Sequence, residues 1–79
     1  MIKRGIYQHF KKEKDGEKML YEVFGVAEHT ETGERLVVYR ALYGKHTLYA
    51  RPETMFTDTV DKPELKYKGP RFIFVQELE

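Results

Sequence analysis

The chain contains no cysteine, no tryptophan and no serine. Without cysteine there is no disulfide framework, no thiolate zinc ribbon and no thiol nucleophile, and such usage fits a reducing compartment, so a cytoplasmic location is expected. Without serine there is no GxSxG elbow, and a Gly-rich phosphate loop is missing too. No apolar run approaches the roughly 20 residues that cross a bilayer. The basic opening "MIKRGIYQHFKKEKDGEK" has no apolar stretch of signal-peptide length, so no membrane partner is expected. Charge of one sign is also lacking: 14 basic against 13 acidic residues give +1, a weak argument for a polyanionic partner.

The distribution of charge says more than its sum. Residues 19–34 carry Glu22, Glu28, Glu31 and Glu34 with no Lys or Arg, whereas residues 35–51 carry Arg35, Arg40, Lys45 and Arg51 with no acid. Paired strands would set these blocks against each other across a sheet.

What is present is strand-forming. Six Tyr and five Phe, with many Val and Ile, fall in short runs between turn residues, the pattern of an all-β domain. Strands are predicted over 5–11, 20–29, 35–43, 47–51, 55–60 and 71–77, spaced as in a meander or small barrel. Residues 1–79 make one domain with no room for a second core, and a chain this short leaves little depth for an enclosed active site. Asp15-Gly16 and the "TETGE" stretch ending near Gly33 predict hairpin turns, and Gly44 predicts a tight turn between the third and fourth strands. Pro52 should end a strand and open one short helical turn towards Met55 and Phe56, both expected in the core. "DKPELKYKGP", residues 61–70, is predicted as a surface loop.

Unbroken alternation sets the expected register. With Glu28 opposite Arg35, Phe24 falls opposite Tyr39 and Val23 opposite Arg40. The face holding Tyr21, Val23, Val38, Arg40 and Leu42 then carries one charge against three on the other, so it is the expected core. Arg40 stands out there, because a buried guanidinium needs a partner or a route to water. The next hairpin leaves two registers open, Arg40 opposite Tyr49 or Arg40 opposite Ala50.

The runs "YQHFK", "YEVFGVAEHTETGERLVVYRALYG", "LYARPETMF" and "PRFIF", spread over residues 7–74, resemble the bacterial domain of unknown function family 1653. The resemblance implies a small SH3-like barrel, here of five to six antiparallel strands with one short helical turn near Pro52–Phe56. It implies no activity and no cofactor. "KKEKDGEKMLY" looks longer and more charged than the family's turn at that position.

Candidate chemistry is sparse. His9, His29 and His46 lie in different segments without metal-site spacing, so no metal is expected. "HTETGE" offers His29, Thr30, Glu31 and Thr32 as an acid-base set, but on a hairpin tip that neither desolvates nor fixes them. The basic and aromatic block is the stronger candidate: Tyr39, Arg40, Tyr43, Lys45, Tyr49 and Arg51, joined by Arg71 if the last strand closes the barrel. Rings that stack and guanidinium forks that hold anions suit a peptide or a single-stranded nucleic acid. The competing reading packs the tyrosines with hydroxyls outward and pairs the arginines with Glu22, Glu53 or the acids of "TDTVD". An assembly role through a sheet edge is the second functional class, and a small enzyme the third.

Overall fold

Asp15 and Gly16 both take positive φ, 52° and 80°, as a two-residue hairpin corner requires, and they join β1 (Gly5–Lys14) to β2 (Glu17–Glu28). The chain continues through β3 (Arg35–Ala41), β4 (Leu48–Pro52), α1 (Glu53–Phe56) and β5 (Thr59–Lys62). A 3₁₀ turn (Pro63–Leu65), β6 (Tyr67–Pro70) and β7 (Phe72–Glu77) complete it. The computed structural model describes residues 2–77. Five strands form one antiparallel sheet in the order β4-β3-β2-β1-β7, and β5 with β6 forms a separate ribbon. Among the described residues no helix is long and apolar enough to cross a membrane.

The small all-β domain is as expected, but the described residues form seven strands rather than five or six. The added strand is Tyr67–Pro70, inside the stretch read as a loop; it pairs with β5 as an exposed ribbon, where Pro70 is tolerated. The strand predicted over 55–60 instead begins in α1, and Pro52 caps that helical turn as anticipated. Phe56 is in the core at 2% exposure, whereas Met55 points to solvent at 53%.

The predicted register fails at one residue, with large effect. Glu28 does face Arg35, and pairing holds to Gly25 opposite Val38, but then it slips, so that Val23 faces Tyr39 and Glu22 faces Arg40. Phe24 is the extra residue of a β-bulge, and a bulge exchanges the two faces of the bulged strand relative to its partner. The core therefore takes Tyr21 and Val23 from β2 together with Val37, Tyr39 and Ala41 from β3. Arg40 turns outward.

The β3–β4 register matches neither expectation: Tyr39 faces Tyr49 and Arg40 faces Leu48. The Ala41 N–H bonds the Thr47 carbonyl at 3.0 Å, closing a wider loop in which Gly44 and His46 both take positive φ, 58° and 56°.

Phe72 lies at the centre of the core. Its ring stacks on Phe56 at 4.2 Å and meets Tyr21 at 5.4 Å and Tyr39 at 5.8 Å, edge to face. Strands in a flat sheet stand about 4.8 Å apart, so β3 and β7, three steps apart in the order, approach this closely only in a curled sheet. That curl is compatible with the SH3-like type.

Candidate functional site

The core's aromatic rings fix what can stand at its rim. Tyr39 and Tyr49, opposite each other on β3 and β4, have ring centroids 5.6 Å apart. Tyr39 is buried at 5% and Tyr49 is exposed at 43%, so the pair runs from core to surface. Arg51, two residues on, shares their face and places its guanidinium carbon 5.7 Å from the centre of the Phe72 ring, a cation–π position. Tyr43 reaches the same side from the loop after β3, its hydroxyl 2.6 Å from that of Tyr21. Lys45 is exposed beside it, in a shallow depression of about 260 Å³ shared with Tyr43 and Tyr49.

Two of the predicted residues stand apart. Arg40 is on the opposite face, 5.6 Å from the Phe24 ring, a consequence of the bulge. Arg71 is an internal clamp: its Nε and Nη2 donate to the two Asp58 carboxylate oxygens at 2.8 and 3.3 Å, and its backbone N–H donates to the Asp58 carbonyl at 3.1 Å. Arg35, not expected in this role, does the same for α1, donating to both Glu53 oxygens at 2.9 and 3.4 Å. Among the described residues neither Arg40 nor Arg51 has a carboxylate within ion-pair distance.

Three cations, Lys11, Arg71 and Arg51, act on His9. His9, packed edge-on against Phe72 at 5.2 Å, is pushed down to about 4 by burial and then by the charges of Lys11, Arg71 and Arg51. It is therefore a neutral acceptor, taking the Lys11 N–H on Nδ1 at 3.1 Å. Asp58 lies below its ordinary range, chiefly through the Arg71 hydrogen bonds, with a smaller contribution from Arg51. Burial raises the Tyr39 hydroxyl while the Arg51 charge pulls it back.

The hairpin-tip histidine has a structural task. His29 Nδ1 accepts the N–H groups of Glu31 and Thr32 at 3.1 and 3.4 Å and so organises its turn. Among the described residues no group of three or more His, Cys, Asp or Glu stands close enough to hold a metal ion.

A second concavity lies at the β1 bulge. Pairing of β1 with β2 breaks between Gln8 and Glu13, and this bulge, together with the 3₁₀ turn and β6, borders an open groove of about 750 Å³. Lys11, Lys12, Lys62 and Lys66 line it around the stacked rings of Phe10 and Tyr67, 5.3 Å apart. Its signal was weak, because the lysines come from two distant stretches that each look like solvated turns.

The family described as Protein of unknown function (DUF1653) matches residues 5–74. A crystal structure of a DUF1653 protein from Bordetella bronchiseptica is similar to this chain, with 29% identity and a TM-score of 0.79 over 99% of this chain and 92% of that one. No curated protein matches the chain.

Proposed function

The chain belongs to the DUF1653 family of proteins of unknown function, and from that premise we propose that it is a small non-catalytic binding module whose ligand is extended and anionic, a peptide segment or a single-stranded nucleic acid. The observation that carries this reading is the condition of Arg51. Arg35 and Arg71 each grip a carboxylate with two nitrogens, whereas Arg51 is half-buried over Phe72 with no acid of its own among the described residues. Asp58, an acid that feels the Arg51 charge, is already engaged by Arg71.

A guanidinium held on an aromatic face, with one donor beside the Tyr39 hydroxyl, keeps the rest of its planar fork for an incoming carboxylate or phosphate. Tyr49 supplies an exposed ring beside it, and Tyr43 and Lys45 extend the surface. The same side of β4 is a sheet edge, where an extended chain can add main-chain hydrogen bonds.

An amide NMR titration of the labelled protein, with an acidic peptide and separately with a short single-stranded oligonucleotide, tests the reading. Shifts concentrated between residues 39 and 51, weakened by salt and lost in Arg51→Ala, are expected; Arg40→Ala, on the other face, should bind as the parent does. A titration in which neither probe moves those amides overturns the proposal.

A second reading, assembly through a sheet edge, is favoured by β7. Only β1 pairs with it among the described residues, and Phe74 and Val75 are exposed at 40% and 50%. A molar mass that rises with concentration supports this reading, and a constant monomer mass removes its homo-oligomeric form.

A further inference from the structure

We infer that the groove between the β1 bulge and the β5–β6 ribbon binds single-stranded nucleic acid, chiefly through the phosphodiester backbone. The groove gathers four lysines against one acid, Glu64. None of the four has a carboxylate within 4.0 Å among the described residues. Like charges crowded in a concavity repel, and the potential they create draws a polyanion.

The backbone gives a second, independent indication. Among the described residues, the non-glycine residues with positive φ are Lys12, Asp15, His46 and Lys66, and the two lysines, at 68° and 53°, both line this groove. Lys66 is the left-handed cap of the 3₁₀ turn, and Lys12 sits in the bulge. Glycine is the residue that such positions prefer. What lysine adds at both, at the expense of backbone comfort, is a charge over the groove.

The chemistry of the lining selects the ligand. All four cations are ammonium groups, compact charges suited to phosphate, and no planar guanidinium fork lines the groove to favour a carboxylate. Between them lie an apolar residue, Leu65, exposed at 54%, and the Tyr67 ring stacked on Phe10. A ligand that alternates phosphates with flat, weakly polar bases matches that interleaving. A duplex hides its bases, and inorganic polyphosphate has none. The inference rests on the proposed function only in taking the ligand to be extended and anionic.

The test is fluorescence anisotropy of a labelled, mixed-sequence single-stranded DNA oligonucleotide with the full chain over a range of salt. Four phosphates neutralised predict a slope of log affinity against log salt of about −2.8, a loss of roughly fifty-fold between about 50 and 200 mM salt. The double variant Lys12→Gly, Lys66→Gly should halve that slope to about −1.4, with thermal stability equal to or above the parent's because glycine suits both backbones. Leu65→Ala should weaken binding without changing the slope. Failure to bind, or parental affinity and slope in the double variant, overturns the inference. So does equal binding of a duplex or of inorganic polyphosphate combined with a silent Leu65→Ala. Loss of binding in Arg51→Ala with none in the lysine variants leaves the Arg51 reading standing and removes this one; the reverse pattern does the opposite.

Discussion

Arg51 and Arg71 flank the same aromatic cluster, and Asp58 decides which is a clamp and which is free. The Arg71 fork holds the Asp58 carboxyl below its ordinary range. A carboxylate depressed in the folded state contributes its stabilisation above its unfolded value and loses it as pH falls through the folded one. Stability should therefore drop below about pH 4, and Asp58→Asn should flatten that limb in thermal unfolding followed against pH. The change should be small, because the pair is partly exposed, 29% and 36% at the two side chains. His9 acts in a higher window and by another route. Burial and three nearby cations hold it at about 4 against an ordinary 6.5. Between those values the unfolded chain takes up a proton that the folded chain refuses, so stability falls as pH falls through the window. His9→Gln should remove that slope between about pH 6.5 and 4, and an NMR titration of the imidazole should place its midpoint well below 6; a midpoint near 6.5 would contradict the packing against Phe72.

At the scale of strands, the bulge at Phe24-Gly25 decides which face of β3 meets the core. It puts Tyr39 on the core face and turns Arg40 away, and the β3–β4 register then sets Arg51 on the Tyr39 face. Gly25 has φ of 151°, a region that residues with a Cβ rarely adopt, so Gly25→Ala should cost about 1–3 kcal/mol in urea unfolding. If the alanine is silent, the bulge is not what holds the register. This element also marks the limit of what the sequence conveys. Asp15-Gly16, the Glu28–Arg35 pairing and the Pro52 helical turn were legible, because each depends on local chemistry. A bulge between two strands whose faces are both apolar leaves no trace in the alternation, since either phase satisfies it. The β3–β4 loop is wider than the tight turn that Gly44 predicts, because the Ala41–Thr47 bond sets its length. Tyr39, Tyr49 and Arg51 share one face, whereas Arg71 follows the competing reading and pairs with Asp58 of "TDTVD". The lysine groove needed the ribbon, and "YKGP" looks like a loop until it has a partner strand to pair with.

For the whole molecule, aromatic rings compensate for the shortness of the chain. A domain of this size has a stability on the order of 4–12 kcal/mol, and a few large side chains supply much of its burial. Phe56 comes from a single helical turn, yet its ring lies parallel to Phe72 at 4.2 Å and meets Tyr7 and Tyr39 at 5.5 and 5.2 Å. Phe56→Ala should cost about 3–5 kcal/mol through lost burial and the cavity left behind. In calorimetry that corresponds to a fall of roughly 15–30 °C in Tm. Met55→Ala, next in sequence but 53% exposed, should change stability by less than about 0.5 kcal/mol. Comparable losses for the two variants would mean that α1 is held by its backbone and by the Arg35–Glu53 pair rather than by the ring. Because Phe72 stacks on Phe56 and also lies beneath the Arg51 guanidinium, loosening the core should weaken anion capture at Arg51 before the chain unfolds. The lysine groove, floored by Phe10 and Tyr67 instead, should keep its affinity under the same change. A Phe72→Leu variant, smaller but still apolar, can separate the two surfaces by binding at a temperature where it remains folded: anion affinity lost at Arg51 and retained in the groove is the expected result, and parallel losses would mean that one core supports both.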